Sequence, residues 1–359
     1  MVAVTLAAMT LTQFIPMYIG TYTDPQGSKG IYRVELDLTK GSFTVPELAA
    51  ETTAPSYVAV RPGGKSLYAV NEYSEGEASA FAIEPTGLRK LNTVKFDGRG
   101  PCHISMDAGG RWLFISAYGG GTMSILPIKA DGSIGEATEN FKNQGMGPNK
   151  GRQEAPHMHF AAPFGKFAYA CDLGTDEVLV FGLNEETGKL AFVTPRAGKP
   201  EPGSGPRHFV IHPNGKTLYA NNEMTLGVSV FDRNLDSGQL SLVQTISTLP
   251  YGEPIKGKST AAIRIHPTLP VLYVSNRGHN SIAIFGIEPD GKLKLKVVHM
   301  LPVKEPRDFA IDPSGTWLVA AGQNSGELMS LRIDQATGEL DPTIYRAKVP
   351  KPVCVAFAL

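Results

Sequence analysis

The 359-residue chain contains no run of 18 apolar residues, which excludes a membrane-spanning helix. It also lacks net charge, since 34 Lys and Arg stand against 34 Asp and Glu. A protein built for nucleic acid or an anionic membrane surface carries a basic excess, so neither partner is expected. There are only three cysteines, Cys102, Cys171 and Cys354, too widely spaced for a disulfide framework or a paired-thiolate metal site. They are expected as small buried side chains. Aromatic residues make up 8% of the chain, few for a protein-docking face. No GxSxG elbow is present, and Gly119-Gly120-Gly121 follows a strand without opening a helix, so neither covalent ester chemistry nor a phosphate-cradling loop is indicated. The apolar opening stretch has no basic n-region and is interrupted by Thr10, Thr12 and Gln13. Residues 1–16 are expected as a terminal arm in a cytoplasmic protein, or as a signal remnant in a periplasmic one.

Glycine and proline are abundant, at 39 and 27 residues, and they punctuate a repeat. The segment from Pro55 to Glu72 reads as strand, tight turn, strand. The same frame returns at Pro101, Pro156, Pro206, Thr260, Pro306 and Pro352. A period of about 50 residues with about four strands per unit is the signature of a propeller blade. Each unit continues with an alternating third strand, such as Val178-Leu179-Val180-Phe181 or Ile282-Ala283-Ile284-Phe285, and then a more polar fourth. The seventh unit has only its first strand, Pro352 to Phe357. Its second and third are at the other end of the chain, at Met17–Tyr22 and Gly30–Leu36. Pairing the two ends removes the open edges, so the fold expected is all-β: one seven-bladed β-propeller of four-stranded antiparallel blades over residues 17–359.

Two slots of the repeat carry unusual residues. The residue after the opening proline is Ser56, Cys102, His157, Arg207, Ala261, Arg307 or Val353. The residue ending the second strand is Tyr22, Glu72, Tyr118, Leu173, Glu223, Arg277 or Gln323. The start of one antiparallel strand lies beside the end of the next, so both slots are expected at one mouth of the central channel. There His157, Arg207, Glu223, Arg277 and Arg307 would converge, with Gln323, Glu72 and His103 behind them and His159 on the face of His157. Arginine's planar fork suits carboxylate and phosphate, so the expected ligand is a small anion. Glu223 among these cations is expected to stay ionised, as a base or a water-positioning group. The alternative is that Arg207 and Glu223 are only an interior ion pair. No set of slots offers three nitrogen or sulfur ligands, so neither metal nor cofactor is expected.

The motifs Pro156-His157-Met158-His159, Gly205-Pro206-Arg207-His208, Asn222-Glu223, Ser275-Asn276-Arg277-Gly278, Pro306-Arg307-Asp308-Phe309 and Ala321-Gly322-Gln323-Asn324 resemble those of the seven-bladed propeller lactonase family. The resemblance runs from about Tyr18 to the C-terminus. It implies that His157, Arg207, Glu223 and Arg277 are active-site residues, with Arg307, Gln323 and His103 nearby. The activity it implies is hydrolysis of a phosphorylated sugar lactone. Arg207 and Arg277, with Arg307 or Lys258, would hold the phosphate, and either Glu223 or His157 would take the proton from water. Cyclisation of a carboxylated muconate and a non-catalytic binding module are the alternatives. Insertions carrying Arg152-Gln153-Glu154 and Lys256-Gly257-Lys258 precede the inner strands of units three and five and are expected to reshape the mouth.

Overall fold

The computed structural model describes residues 13–73 and 75–358. It consists of seven four-stranded antiparallel sheets. In blade one the strands run in order from the axis outward: Tyr57–Val60, Ser66–Glu72, Gly76–Glu84 and Gly87–Lys95. Blades two to six repeat this order, their inner strands being Pro101–Met106, Met158–Phe164, Pro206–Ile211, Ser259–Ile265 and Pro306–Ile311. The last blade is composite. Its inner strand, Pro352–Phe357, pairs with Phe14–Thr21 in the register Met17↔Phe357 and Ile19↔Val355, followed outward by Gly30–Asp37 and Glu47–Glu51. The first strand begins at Phe14, three residues earlier than expected, because Ile15 is already buried against the neighbouring blade. The rest of the expected arm, up to residue 12, lies outside the described residues.

Middle strands must be apolar on both faces because each sheet packs between two others. Leu113 to Ala117 and Leu272 to Val274 are buried throughout. Outer strands alternate, as Leu240–Ser247 does, because one face meets solvent. Seven apolar clusters result, one at each interface between adjacent blades. In one, Tyr273, Ile282 and Ile284 of blade five meet Phe309, Leu318 and Met329 of blade six.

The interfaces are also sewn by hydrogen bonds. A second-strand Tyr or Trp donates to a backbone carbonyl in the outer turn of the next blade: Tyr68 to Gly132 O at 2.9 Å, Trp112 to Glu185 O at 2.9 Å, Tyr169 to Gly238 O at 2.9 Å, Tyr219 to Gly291 O at 2.8 Å, Tyr273 to Gly338 O at 2.7 Å and Trp317 to Leu38 O at 2.9 Å. Six of the seven interfaces carry this bond, so each aromatic buries its ring without leaving its polar atom unpaired. The turn glycine beside it is constrained twice. Gly41 has φ +80°, and a Cβ there would lie 2.2 Å from the Trp317 ring.

The channel face is shaped by a further regularity. Most inner strands open with a β-bulge, seen between Pro101 and His103, Met158 and Phe160, Pro206 and His208, Thr260 and Ile263, and Pro306 and Asp308. A bulge sets two residues against one and re-aims the extra side chain.

Candidate active site

The bulges explain how consecutive residues of one strand both face the axis. Arg207 Nη1 lies 3.2 Å from Nε2 of the adjacent His208. Cys102 and His103, adjacent in a second bulge, likewise both reach the channel. Each of these two bulges therefore contributes to two layers.

The lower layer is a plug. His103 is 2% exposed, its ring 4.4 Å from Tyr57 and 3.9 Å from Phe160. His208 lies 4.8 Å from Phe160 and 5.5 Å from His103, centroid to centroid. Arg264 closes the layer, bonded to Asp308 Oδ1 at 2.8 Å. His103, expected to touch ligand, is thus buried between two rings beneath the site. Burial, reinforced by Arg264 and Arg207, pushes its pKa well below the ordinary histidine value.

Above the plug is a pit of about 370 Å³, lined by Glu72, Cys102, Tyr118, Arg152, His159, Glu223, Ser259, Arg277 and Arg307. Glu223 is its pivot, only 6% exposed. Its Oε2 accepts from Arg207 Nε at 2.9 Å and lies 3.0 Å from Arg277 Nη2, and its Oε1 accepts from Arg152 Nη2 at 2.7 Å. Burial works to raise the Glu223 pKa, but Arg277 and Arg207, with the hydrogen bond from Arg152, overcome it and hold the carboxyl far below the usual range. Arg207 is 3% exposed, and its pKa falls to about 10 through burial and the repulsion of Arg277 and Arg307, which leaves it charged at neutral pH. It also bonds to Ala261 O, and Arg277 Nη2 reaches Thr260 O at 3.1 Å. On the far wall Tyr22 donates to Glu72 at 3.0 Å, and Arg307 lies over the Tyr22 ring at 5.3 Å.

The structure moves the histidine. In most blades the amide of the residue ending the second strand donates to the carbonyl of the residue before the opening proline: Glu72 to Ala54, Tyr118 to Gly100, Glu223 to Gly205, Gln323 to Glu305. In blade three Leu173 donates to His157. His157 therefore occupies the position before the proline slot, Met158 fills that slot, and His159 is the counterpart of Arg207. His159 lines the pit, with Nδ1 3.8 Å from Cys102 Sγ. Burial, then Arg207, push its pKa well below the ordinary value, with Glu223 opposing, so it is neutral at pH 7. His157 stacks on Tyr118 at 4.4 Å, with Nδ1 3.1 Å from Tyr118 O and Nε2 3.1 Å from Glu154 Oε1. Both of its ring nitrogens are engaged.

Two other expectations shift. Lys258 is turned away from the pit, bonded to Glu253 Oε1 at 2.5 Å and to Pro254 O at 2.7 Å within its own loop. Gln323 stands half-buried at the end of its strand with Oε1 unpaired. Arg152, from the insertion before the inner strand of blade three, was not expected as a site residue. The remaining lining residues Tyr118 and Cys102 occupy the two slots, but Ser259, the first residue of the blade-five inner strand, stands one position before Thr260 in the proline slot. The four arginines around the pit exceed its two carboxylates by two charges. The pit is thus a cationic cavity with one buried imidazole on its wall.

Comparisons with known proteins agree with this architecture. The family model described as lactonase, 7-bladed beta-propeller matches residues 16–357. A 6-phosphogluconolactonase of Bacillus subtilis strain 168 is 33% identical over 97% of this chain and 99% of its own length. A second protein of that name, from Formosa agariphila, is 33% identical over 90% of this chain and 94% of its own. The solved structure of a periplasmic gluconolactonase from Pseudomonas aeruginosa superimposes with a TM-score of 0.90 at 29% identity, covering 96% of this chain and 99% of that one. Among the described residues no helix is long and apolar enough to cross a membrane.

Proposed function

This chain belongs to the seven-bladed β-propeller lactonase family, and we propose that it hydrolyses a phosphorylated sugar lactone, 6-phosphogluconolactone being the substrate that fits best. The reading is carried by one observation: a buried anion pit whose arginines surround a neutral histidine. The reaction is ester hydrolysis. Water adds to the lactone carbonyl, the ring C–O bond breaks, and the product is a hydroxy acid that ionises to its carboxylate.

We assign proton acceptance to His159. A general base works best when its free form dominates at the working pH and it retains affinity for a proton. Glu223, gripped by three guanidinium groups, has too little such affinity, and the nitrogens of His157 are already engaged. The neutral imidazole of His159 takes the proton as water attacks, and the resulting imidazolium returns it to the departing ring oxygen. Glu223 holds Arg207 and Arg277 in place, and its negative charge favours the transient imidazolium. Arg277 and Arg307, open to the pit, stabilise the negative charge that builds on the carbonyl oxygen. Phosphorylated sugars are retained inside cells, so the cytoplasm is the compartment that goes with this reading.

The test is pH-stat hydrolysis of 6-phosphogluconolactone beside unphosphorylated δ-gluconolactone. A clear preference for the phosphorylated lactone is expected. Equal rates would remove phosphate from the reading, and no acid release from either would overturn it.

A further inference from the structure

Arg152 does not belong to the repeat. It rides on the segment linking strand Glu139–Lys142 to strand Met158–Phe164; among the described residues it is the one arginine of such a linking segment that lines the pit, since Arg99 in the corresponding segment before Pro101–Met106 is exposed and bonds to Gly119 O at 3.2 Å. The stem of this segment is fixed. Gln153 is fully buried, its Nε2 donating to Leu173 O at 2.9 Å and to Asp176 Oδ1 at 2.7 Å, while its Oε1 accepts from Asn149 N at 3.1 Å. The Arg152 side chain, one residue before this anchor, is 46% exposed and reaches into the pit, to Glu223 Oε1 at 2.7 Å and the Tyr118 hydroxyl at 3.3 Å.

The other two arginines on Glu223 are committed to the fold. Arg207 is buried and also bonded to Ala261 O, and Arg277 to Thr260 O, and both approach Oε2. Arg152 alone takes Oε1 and faces solvent, so its departure leaves the Glu223 carboxylate with two partners. The pit holds two positive charges in excess, which matches a phosphate monoester dianion in number and sign.

We propose that Arg152 is the residue by which the pit selects a phosphorylated ligand, its guanidinium exchanging the Glu223 carboxylate for the ligand's phosphate. The proposal rests on the preceding reading for the identity of the ligand. It makes the insertion, rather than the repeat, the source of substrate choice. The exchange also frees Oε1 of Glu223 to accept a hydroxyl of the sugar acid.

The experiment is equilibrium titration of 6-phosphogluconate and of gluconate into the wild-type chain and into Arg152→Ala, Arg152→Lys and Lys150→Ala. Lys150→Ala removes an exposed charge from the same loop. Arg152→Ala is expected to weaken 6-phosphogluconate by about ten- to one-hundred-fold, the size of one charge-assisted bidentate contact. Arg152→Lys should recover part of that loss, Lys150→Ala should change it less than about two-fold, and gluconate should be indifferent to all three. Equal losses for both ligands, an unchanged 6-phosphogluconate affinity in Arg152→Ala, or no wild-type affinity for 6-phosphogluconate would each overturn the proposal. If gluconate binds too weakly to measure, the contrast between Arg152→Ala and Lys150→Ala with 6-phosphogluconate decides. A wild-type chain that binds 6-phosphogluconate through Arg152 but hydrolyses no lactone would defeat the preceding reading and leave this one standing.

Discussion

The pit and the plug are made from neighbouring residues of the same strand openings, yet they differ in nearly every physical respect. Arg207 and His159 belong to the upper layer, where charge is concentrated around a cavity. His208 and Phe160, the very next residues, belong to the lower one, where rings pack against rings. The contrast teaches that the propeller separates its chemistry from its packing by one residue, and that the bulge makes this possible. Both layers hold buried histidines, but of His103, His159 and His208 it is His159 that lines the pit.

The sharpest way to break the contrast is to change one histidine in each layer. His159→Gln is expected to lower kcat by about two to four orders of magnitude, the usual worth of a positioned acid–base group, with the melting temperature nearly unmoved. His103→Phe should leave kcat within about three-fold and be no less stable, since it replaces a ring whose Nδ1 is buried without a partner. Similar kcat losses in the two variants would erase the functional distinction between the layers.

A second test concerns what the pit costs to hold. Arg207→Met leaves Glu223 buried with fewer compensating charges, so chemical denaturation should show a loss of about 3–5 kcal/mol. An unaltered unfolding midpoint would mean that Glu223 has found water or a new partner.

Acid should sharpen the comparison further. His103, His159 and His208 all have folded-state pKa values held well below the ordinary one, chiefly by burial. Below about pH 6.5 the unfolded chain binds protons that the folded chain refuses, so these groups make stability fall as pH falls. Asp172 and Asp308, raised by burial, pull the other way. The informative quantity is therefore the difference between wild type and His103→Phe, which should lose up to about 1.4 kcal/mol per pH unit of that acid sensitivity. Parallel melting-temperature curves against pH would show that His103 titrates normally. The smallest effect lies outside both layers: Tyr273→Phe removes one inter-blade stitch and should cost about 1 kcal/mol by urea denaturation without touching kcat.

The blade count, the composite seventh blade and the convergence of Glu72, Glu223, Arg277 and Arg307 were legible in the repeat, because turn glycines and opening prolines keep strand register visible along the chain. Three features were not. The two-residue displacement of the histidine was hidden because Pro156 lies two residues before the slot that proline fills in most other blades, where Met158 stands instead. A signal did exist, since Met158-His159-Phe160 matches Pro206-Arg207-His208 once Phe160 is taken as a channel ring. His103 was placed at the mouth because ordinary strand alternation does not reveal a bulge, which sends consecutive side chains to different depths of one channel. Arg152 was invisible to any search of repeat slots, since an insertion has no counterpart to be compared with.

The composite blade has a consequence for how the molecule is made. Strand Phe14–Thr21 emerges from the ribosome early, and its inner partner Pro352–Phe357 follows roughly 330 residues later, on the order of tens of seconds at ordinary elongation rates. Throughout that interval the nascent polypeptide carries an unmated sheet border that can recruit strands from other chains. Neither the circle nor the Glu223 pit at its centre is fully supported until strand Pro352–Phe357 has been made, so a chain cut before that strand keeps the inner border of Phe14–Thr21 unmated.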